Sequence, residues 1–139
     1  MKTYTAKIHC STRGDTDIID LTPQLHMEVK SSQIQTGLAT IFTPSSTSAI
    51  TTIEYETGCL DDLKRMFERI APEQQNYQHN ARWGDGNGHS HIRAALVGPS
   101  VSIPVVDGKL LLGTWQQVIL VDFDNRPRQR VLAFQILGE

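Results

Sequence analysis

The fold class turns on S-V-S-I-P-V-V-D-G-K-L-L-L (100–112), W-Q-Q-V-I-L-V-D-F (115–123), D-N-R-P-R (124–128) and R-V-L-A-F-Q-I-L (130–137). Val101–Val106 and Lys109–Leu112 flank Asp107-Gly108, a dipeptide that favours a tight hairpin because its turn needs residues tolerant of positive φ. Two longer runs, Trp115–Phe123 and Arg130–Leu137, are joined by a polar turn containing proline. Everything from Ser100 onward therefore reads as antiparallel strand.

Upstream, strands and helices intermingle. Thr3–Ser11 alternates Tyr4, Ala6 and Ile8 with Thr5, Lys7 and His9, the period of a half-buried strand. Thr22 as N-cap with Pro23 at the first helical position predicts a helix to about Ser32. Gly37–Phe42 reads as a strand stopped by Pro44, and Ala49–Tyr55 as another. The clearest helix is Gly58–Ile70, where Leu60, Leu63, Phe67 and Ile70 form one stripe and Pro72 follows. Ser90 is placed to cap a short helix that runs to Gly98. Strands before, between and after helices give an α+β class rather than a repeating βαβ unit, and 139 residues suit one domain, 1–139.

Composition narrows function. Thirteen basic and fifteen acidic residues give a net charge of −2, so no global field draws the chain to nucleic acid or to anionic lipid. No apolar run reaches the roughly 18 residues of a membrane span. The N-terminal M-K-T-Y-T-A-K lacks a signal-type apolar region, and a cytoplasmic location is expected. Cys10 and Cys59 form no C-x-x-C pair and read as free thiols.

The chemistry concentrates between Tyr77 and His91, Y-Q-H-N-A-R-W-G-D-G-N-G-H-S-H, which holds three of the chain's five histidines. Three readings are open. His79, His89 and His91 could bind a divalent metal such as zinc, with Glu54 or Asp85 as a fourth ligand or base, because an extended H-x-H puts both rings on one face. The imidazoles could instead bind phosphate or act as acid and base without metal. Or they hydrogen-bond loop backbone and cap the next helix. Two further sets bear on a phosphorylated ligand. Ser45-Ser46-Thr47-Ser48 offers hydroxyls and backbone N–H groups to an anion. In the last turn Arg126 and Arg128 read as solvated, whereas Arg130 has Asp122 and Asp124 across the hairpin to pair with.

Five motifs in order, T-T-I-E-Y-E (51–56), Y-Q-H (77–79), G-D-G-N-G-H-S-H (84–91), D-G-K-L-L-L-G-T-W-Q-Q (107–117) and the terminal L-G-E, resemble the YjbQ family. The resemblance runs from about Asp20 to Glu139. It is to a branch with Ser45-Ser46-Thr47 where a common pattern has His-Thr-Ser, and with Ile53-Glu54 where that pattern has Asn-Glu. What the resemblance implies is a folded-over, mixed, mostly antiparallel sandwich-like sheet with two or three helices, assembled as a homotrimer. It also implies thiamine-phosphate synthase activity, in which a pyrimidine diphosphate is joined to a thiazole phosphate with release of pyrophosphate. Carried over residue by residue, Glu54, His79 and His91 are the expected catalytic set. His89 stands in for the histidine absent near Ser45 and completes a metal set with His79 and His91, for zinc or magnesium. Ser46, Thr47, Asn87, Gln116 and Arg130 are the expected substrate contacts. The alternative is a non-catalytic trimer that binds metal or a phosphorylated small ligand.

Overall fold

In a computed structural model describing residues 1–139, the strands divide between two sheets. The elements are β1 (Lys2–Thr12), β2 (Asp17–Asp20), α1 (Thr22–Ser32), β3 (Gly37–Phe42), β4 (Ser48–Ile53), α2 (Thr57–Ile70), α3 (Gln78–Trp83), α4 (Gly88–Val97), β5 (Ser100–Val106), β6 (Lys109–Leu110), β7 (Gln117–Asp122) and β8 (Arg128–Gly138). One sheet has the order β1-β8-β3-β5-β6 and the other β2-β7-β4. Every strand pair is antiparallel. The α+β class holds, with four helices instead of two or three.

The layers follow from side-chain alternation. Inward residues of the larger sheet, such as Ile8, Ile41, Leu132, Phe134 and Ile136, pack with Leu25 and Val29 of α1 and with Ile50, Val118 and Leu120 of the smaller sheet. The other face of that smaller sheet, Ala49, Ile119, Val121 and the adjoining Phe123, packs on Phe67 of α2 and Ala94 of α4. The Phe67 and Phe123 rings meet edge to face at 4.8 Å. A buried phenylalanine of this kind contributes about 3–5 kcal/mol relative to alanine.

Burial on both faces explains the largest departure from the sequence expectation. β7 and β8 are consecutive but do not form a hairpin; they lie in different sheets. The run V-I-L-V (118–121) is wholly buried, the mark of a central strand covered on two sides, whereas β8 alternates strictly from Val131 onward. The Phe123–Pro127 connection is an arch from one sheet to the other. The β1–β2 connection makes a similar crossing and packs against it, with Asp15 N–H donating to Asp124 O at 2.7 Å. Gly14 makes that approach possible, because a Cβ there would stand 2.6 Å from the carbonyl oxygens of both Asp124 and Arg126.

Smaller corrections have local causes. β2 and α3 have too few residues to show a period, and neither was expected. Thr22 is inside α1; its hydroxyl accepts from Val118 N–H at 2.8 Å, and Asp20 Oδ1 takes the Thr22 N–H instead. Glu56 caps α2 through the N–H groups of Gly58 and Cys59, and Ile70, at the helix end, is exposed while Met66 packs inward. Ser90 does not cap α4, which begins at Gly88; its hydroxyl donates to Phe123 O. β6 ends at Leu110, short of Leu112. No helix is long and apolar enough to cross a membrane.

Candidate functional site

At one end of the two-sheet sandwich the inward-facing positions turn from apolar to charged. Along β7 the side facing the larger sheet reads Val118, Leu120, Asp122 and then Asp124. Along β8 it reads Ile136, Phe134, Leu132, Arg130, Arg128, and along β1 it ends in Thr12. The space between the sheets is therefore closed at this end by two carboxylates and two guanidinium groups.

Burial of the carboxylates is complete, and each is fully engaged. Asp122 accepts from Arg130 Nε at 2.7 Å and Nη2 at 2.9 Å, from Thr12 Oγ1 at 2.6 Å and from Asp124 N–H at 3.1 Å. Asp124 accepts from Arg128 Nε at 2.8 Å, Thr47 Oγ1 at 3.2 Å, Asn87 Nδ2 at 3.3 Å and Asn125 N–H at 2.9 Å. Burial alone pushes the Asp124 carboxyl up, but the hydrogen bonds from Arg128, Asn87 and Asn125 outweigh it and hold it below the ordinary range. Arg130, 13% exposed, also donates to Thr47 Oγ1 at 2.8 Å. Neither Arg128 nor Arg130 uses its Nη1 within the chain, so each keeps donors free.

The opposite wall comes from α3 and α4. Gly88 N–H donates to Asn80 Oδ1 at 2.8 Å, clasping the start of α4 to α3. A Cβ on Gly88 would lie 2.6 Å from Tyr77 Cβ, so only glycine permits this contact. The clasp brings the His79 and His91 rings to 4.5 Å between centroids. His79 Nδ1 lies 3.3 Å from Asp85 Oδ1 without hydrogen-bond alignment and has no partner. Asn87 is buried, and its Oδ1 is also unpartnered. Between these walls and the Pro44–Thr47 loop is an open cleft of about 690 Å³, with Trp83 at its rim.

Of the residues expected from sequence, the cleft gathers His79, His91, Ser46, Thr47, Asn87 and Arg130. It does not gather His89, Glu54 or Gln116. Because residues 89–91 are helical rather than extended, positions two apart point to nearly opposite sides. His89 is 2% exposed and faces a separate pocket with Glu68 and Arg93, where burial first and the Arg93 charge second push its pKa down. No three of the chain's His, Cys, Asp and Glu side chains converge as one metal ion would require, so the three-histidine set is not assembled. Glu54 lies beyond the far end of β4, whose Ser48 end borders the cleft. Six strand residues separate those ends by roughly 20 Å. Glu54 shares a groove with Tyr55 and Trp115 instead. Gln116 braces a local turn, accepting from Gly113 N–H at 3.0 Å and donating to Thr52 Oγ1 at 3.2 Å.

Sequence reasoning missed Asp124 and Arg128 as site residues. Arg128, read as solvated, is paired with Asp124 and lines the cleft. The signal was present: the alternation of β7 continues unbroken through Asp122 and Asp124. The expected Arg130–Asp122 pair is real, although it links two sheets rather than two strands of a hairpin.

These features define a class: a small α+β protein whose two-sheet sandwich opens at one end into a polar cleft bearing paired arginines and facing imidazoles. The chain belongs to the UPF0047 YjbQ-like family, whose model matches residues 6–139. It is 36% identical over 139 residues to a UPF0047 protein of Methanothermobacter thermautotrophicus, covering all of this chain and 95% of that one. It is 30% identical over 129 residues to the UPF0047 protein YugU of Bacillus subtilis, covering 92% and 94% of the two chains. Among solved structures, a YbjQ-like protein of Sulfolobus solfataricus superposes with a TM-score of 0.95 at 34% identity over 99% of each chain. A YjbQ/UPF0047 protein of Clostridium acetobutylicum superposes with a TM-score of 0.87 at 32% identity, over 95% of this chain and 99% of that one.

Proposed function

We propose that the cleft binds the phosphoryl end of a small molecule and that the protein is a thiamine-phosphate synthase-like enzyme. One observation carries the proposal: the facing imidazoles of His79 and His91 share a cleft with the free Nη1 groups of Arg128 and Arg130. The buried carboxylates fix both guanidinium forks in place, and an arginine held this way presents its remaining donors without further ordering cost. Ser46 N–H has no partner within the chain and adds a backbone donor at the same cleft. Asp122 and Asp124 balance the two arginines in charge, so an anion here would be held by directed N–H donors rather than by a net positive field.

In the reaction implied by the family resemblance, the thiazole nitrogen attacks the pyrimidine methylene carbon, and the carbon–oxygen bond to diphosphate breaks. Pyrophosphate leaves with the bonding pair. Arg128, Arg130 and Ser46 would hold its oxygens, and His79 or His91 would supply a proton to it. A divalent cation would arrive with the diphosphate, bound by phosphate oxygens with Asp85 as the nearby carboxylate, as magnesium commonly is.

On this proposal the protein acts as a homotrimer in the cytoplasm. The uncovered outer face of the larger sheet supports assembly, because Leu38, Phe42, Val131 and Leu137 are exposed there among few charges. Two unpaired cysteines suit a reducing compartment. Purified protein assayed with both thiamine precursors and magnesium, beside a His79→Ala, His91→Ala double variant, tests the chemistry. Turnover lost in the variant is expected, and equal rates would sink the assignment. Tight binding without any turnover would favour the non-catalytic alternative. A monomer in sedimentation at micromolar concentration would remove the trimer.

A further inference from the structure

The polar cleft does not end at the Ser45–Ser46 loop. Past Ser45, Ser46 and His91 the surface continues into a second cavity of about 360 Å³, walled by Ala94, Ala95, Gly98 and Pro99. Its chemistry is opposite to that of the first. Apart from His91 at its mouth no titratable side chain lines it, and two of its three serine hydroxyls, those of Ser45 and Ser48, make hydrogen bonds within the chain. Ser45 Oγ accepts from Thr47 N–H at 3.1 Å, and Ser48 Oγ shares a 2.8 Å hydrogen bond with Thr43 Oγ1. The cavity surface is mostly apolar. His91, Ala94 and Ala95 fall at i, i+3 and i+4 on one face of α4, with Gly98 just past its end, so the imidazole stands where the charged and apolar compartments meet.

The charged side carries an independent sign of a ligand. Asn87, more than nine-tenths buried, lines it and donates through Nδ2 to Asp124, which fixes the amide orientation and leaves Oδ1 without a partner. A buried acceptor in that position wants a donor from outside the chain, which a bound water or the protonated oxygen of a phosphate monoanion provides.

We infer that the two compartments together take one ligand, a phosphate or diphosphate ester of a small apolar or aromatic group, with the phosphoryl end among Arg128, Arg130 and Asn87 and the apolar body against Ala94, Ala95 and Pro99. This rests on the phosphoryl proposal above and adds where the other end of the molecule lies, against the Ala94–Ala95 face of α4. A sugar or glycerol phosphate has hydroxyls throughout its body. In the second cavity those hydroxyls lose water and find few replacement partners, Ser46 Oγ among them, which penalises such esters.

Titration calorimetry with inorganic phosphate, glycerol phosphate and phenyl phosphate tests the assignment on the full chain. Phenyl phosphate is expected to bind at least about tenfold more tightly than glycerol phosphate, a modest figure for a ring entering an apolar pocket. Ala95 is exposed at the cavity wall. Ala95→Phe fills the space and Ala95→Asp makes it charged, and each should bring phenyl phosphate down to the affinity of glycerol phosphate, with folding checked by circular dichroism. Equal affinities for the two esters in the wild type, with inorganic phosphate still bound, would overturn this inference and leave the phosphoryl proposal standing. Failure of all three probes to bind would overturn both.

Discussion

Replacing Arg130 with methionine takes the guanidinium from a carboxylate that has no exposure to solvent. Asp122 would keep Thr12 Oγ1 and Asp124 N–H as donors but lose both short contacts to Arg130, at 2.7 and 2.9 Å. Removing one member of a buried ion pair leaves an uncompensated charge, which costs about 3–5 kcal/mol. That is a large part of the roughly 5–15 kcal/mol that keeps a domain folded. The pair joins β8 of one sheet to β7 of the other, so the loss should appear in global unfolding rather than in local fraying. Adding Asp122→Asn to Arg130→Met removes the stranded charge, and the double variant should recover about 2 kcal/mol or more relative to Arg130→Met alone. Urea unfolding at neutral pH with linear extrapolation reads all four corners of the cycle. A single-variant loss below about 1 kcal/mol, or strict additivity in the double variant, would refute a buried, charge-balanced seam.

Two further outcomes concern the α3–α4 wall. His89 has its folded pKa depressed by burial and by Arg93, so the unfolded chain binds the extra proton more readily. The stability it contributes is present above the unfolded value near 6.5 and is lost as pH falls toward the depressed folded value. Urea midpoints measured between pH 7 and 5 should therefore drop for wild type and drop less for His89→Gln; identical slopes would rule out a neutral buried imidazole. Gly88→Ala drives a methyl group against Tyr77 and should cost about 1–3 kcal/mol by overpacking. It should also weaken pyrophosphate binding by moving His91 away from His79, and binding unchanged beside a clear loss of stability would show that the clasp does not position the site.

How much of this was legible in the sequence depended on whether neighbours along the chain are neighbours in space. Gly37–Phe42 could be bounded correctly because Pro44 punctuates it, and α2 because its apolar stripe has the helical period. Chain proximity misled at the C-terminus. Trp115–Phe123 and Arg130–Leu137 look like a hairpin, yet a run buried on both faces demands a sheet of its own. The histidines show the same dependence on local geometry. In a strand, His89 and His91 would share a face, whereas at the start of α4 they point apart, and His91 meets His79 instead. Family resemblance brought Glu54 into one hypothesis with the histidines, but the length of β4 stands between them. The carboxylates and arginines of the cleft floor were readable as a continued alternation. Their role became visible only when the two sheets placed β7 and β8 face to face.

Pyrophosphate titrated by calorimetry into wild type, Arg128→Gln and Arg126→Gln tests most directly whether the cleft is a phosphoryl site. Both variants lose one positive charge within the same turn, but Arg128 lines the cleft and Arg126 is exposed in the arch. Loss of a charge-assisted contact should weaken binding about 10- to 100-fold for Arg128→Gln, while Arg126→Gln stays within about twofold of wild type. Equal weakening in the two variants, or no binding by the wild type, would contradict it.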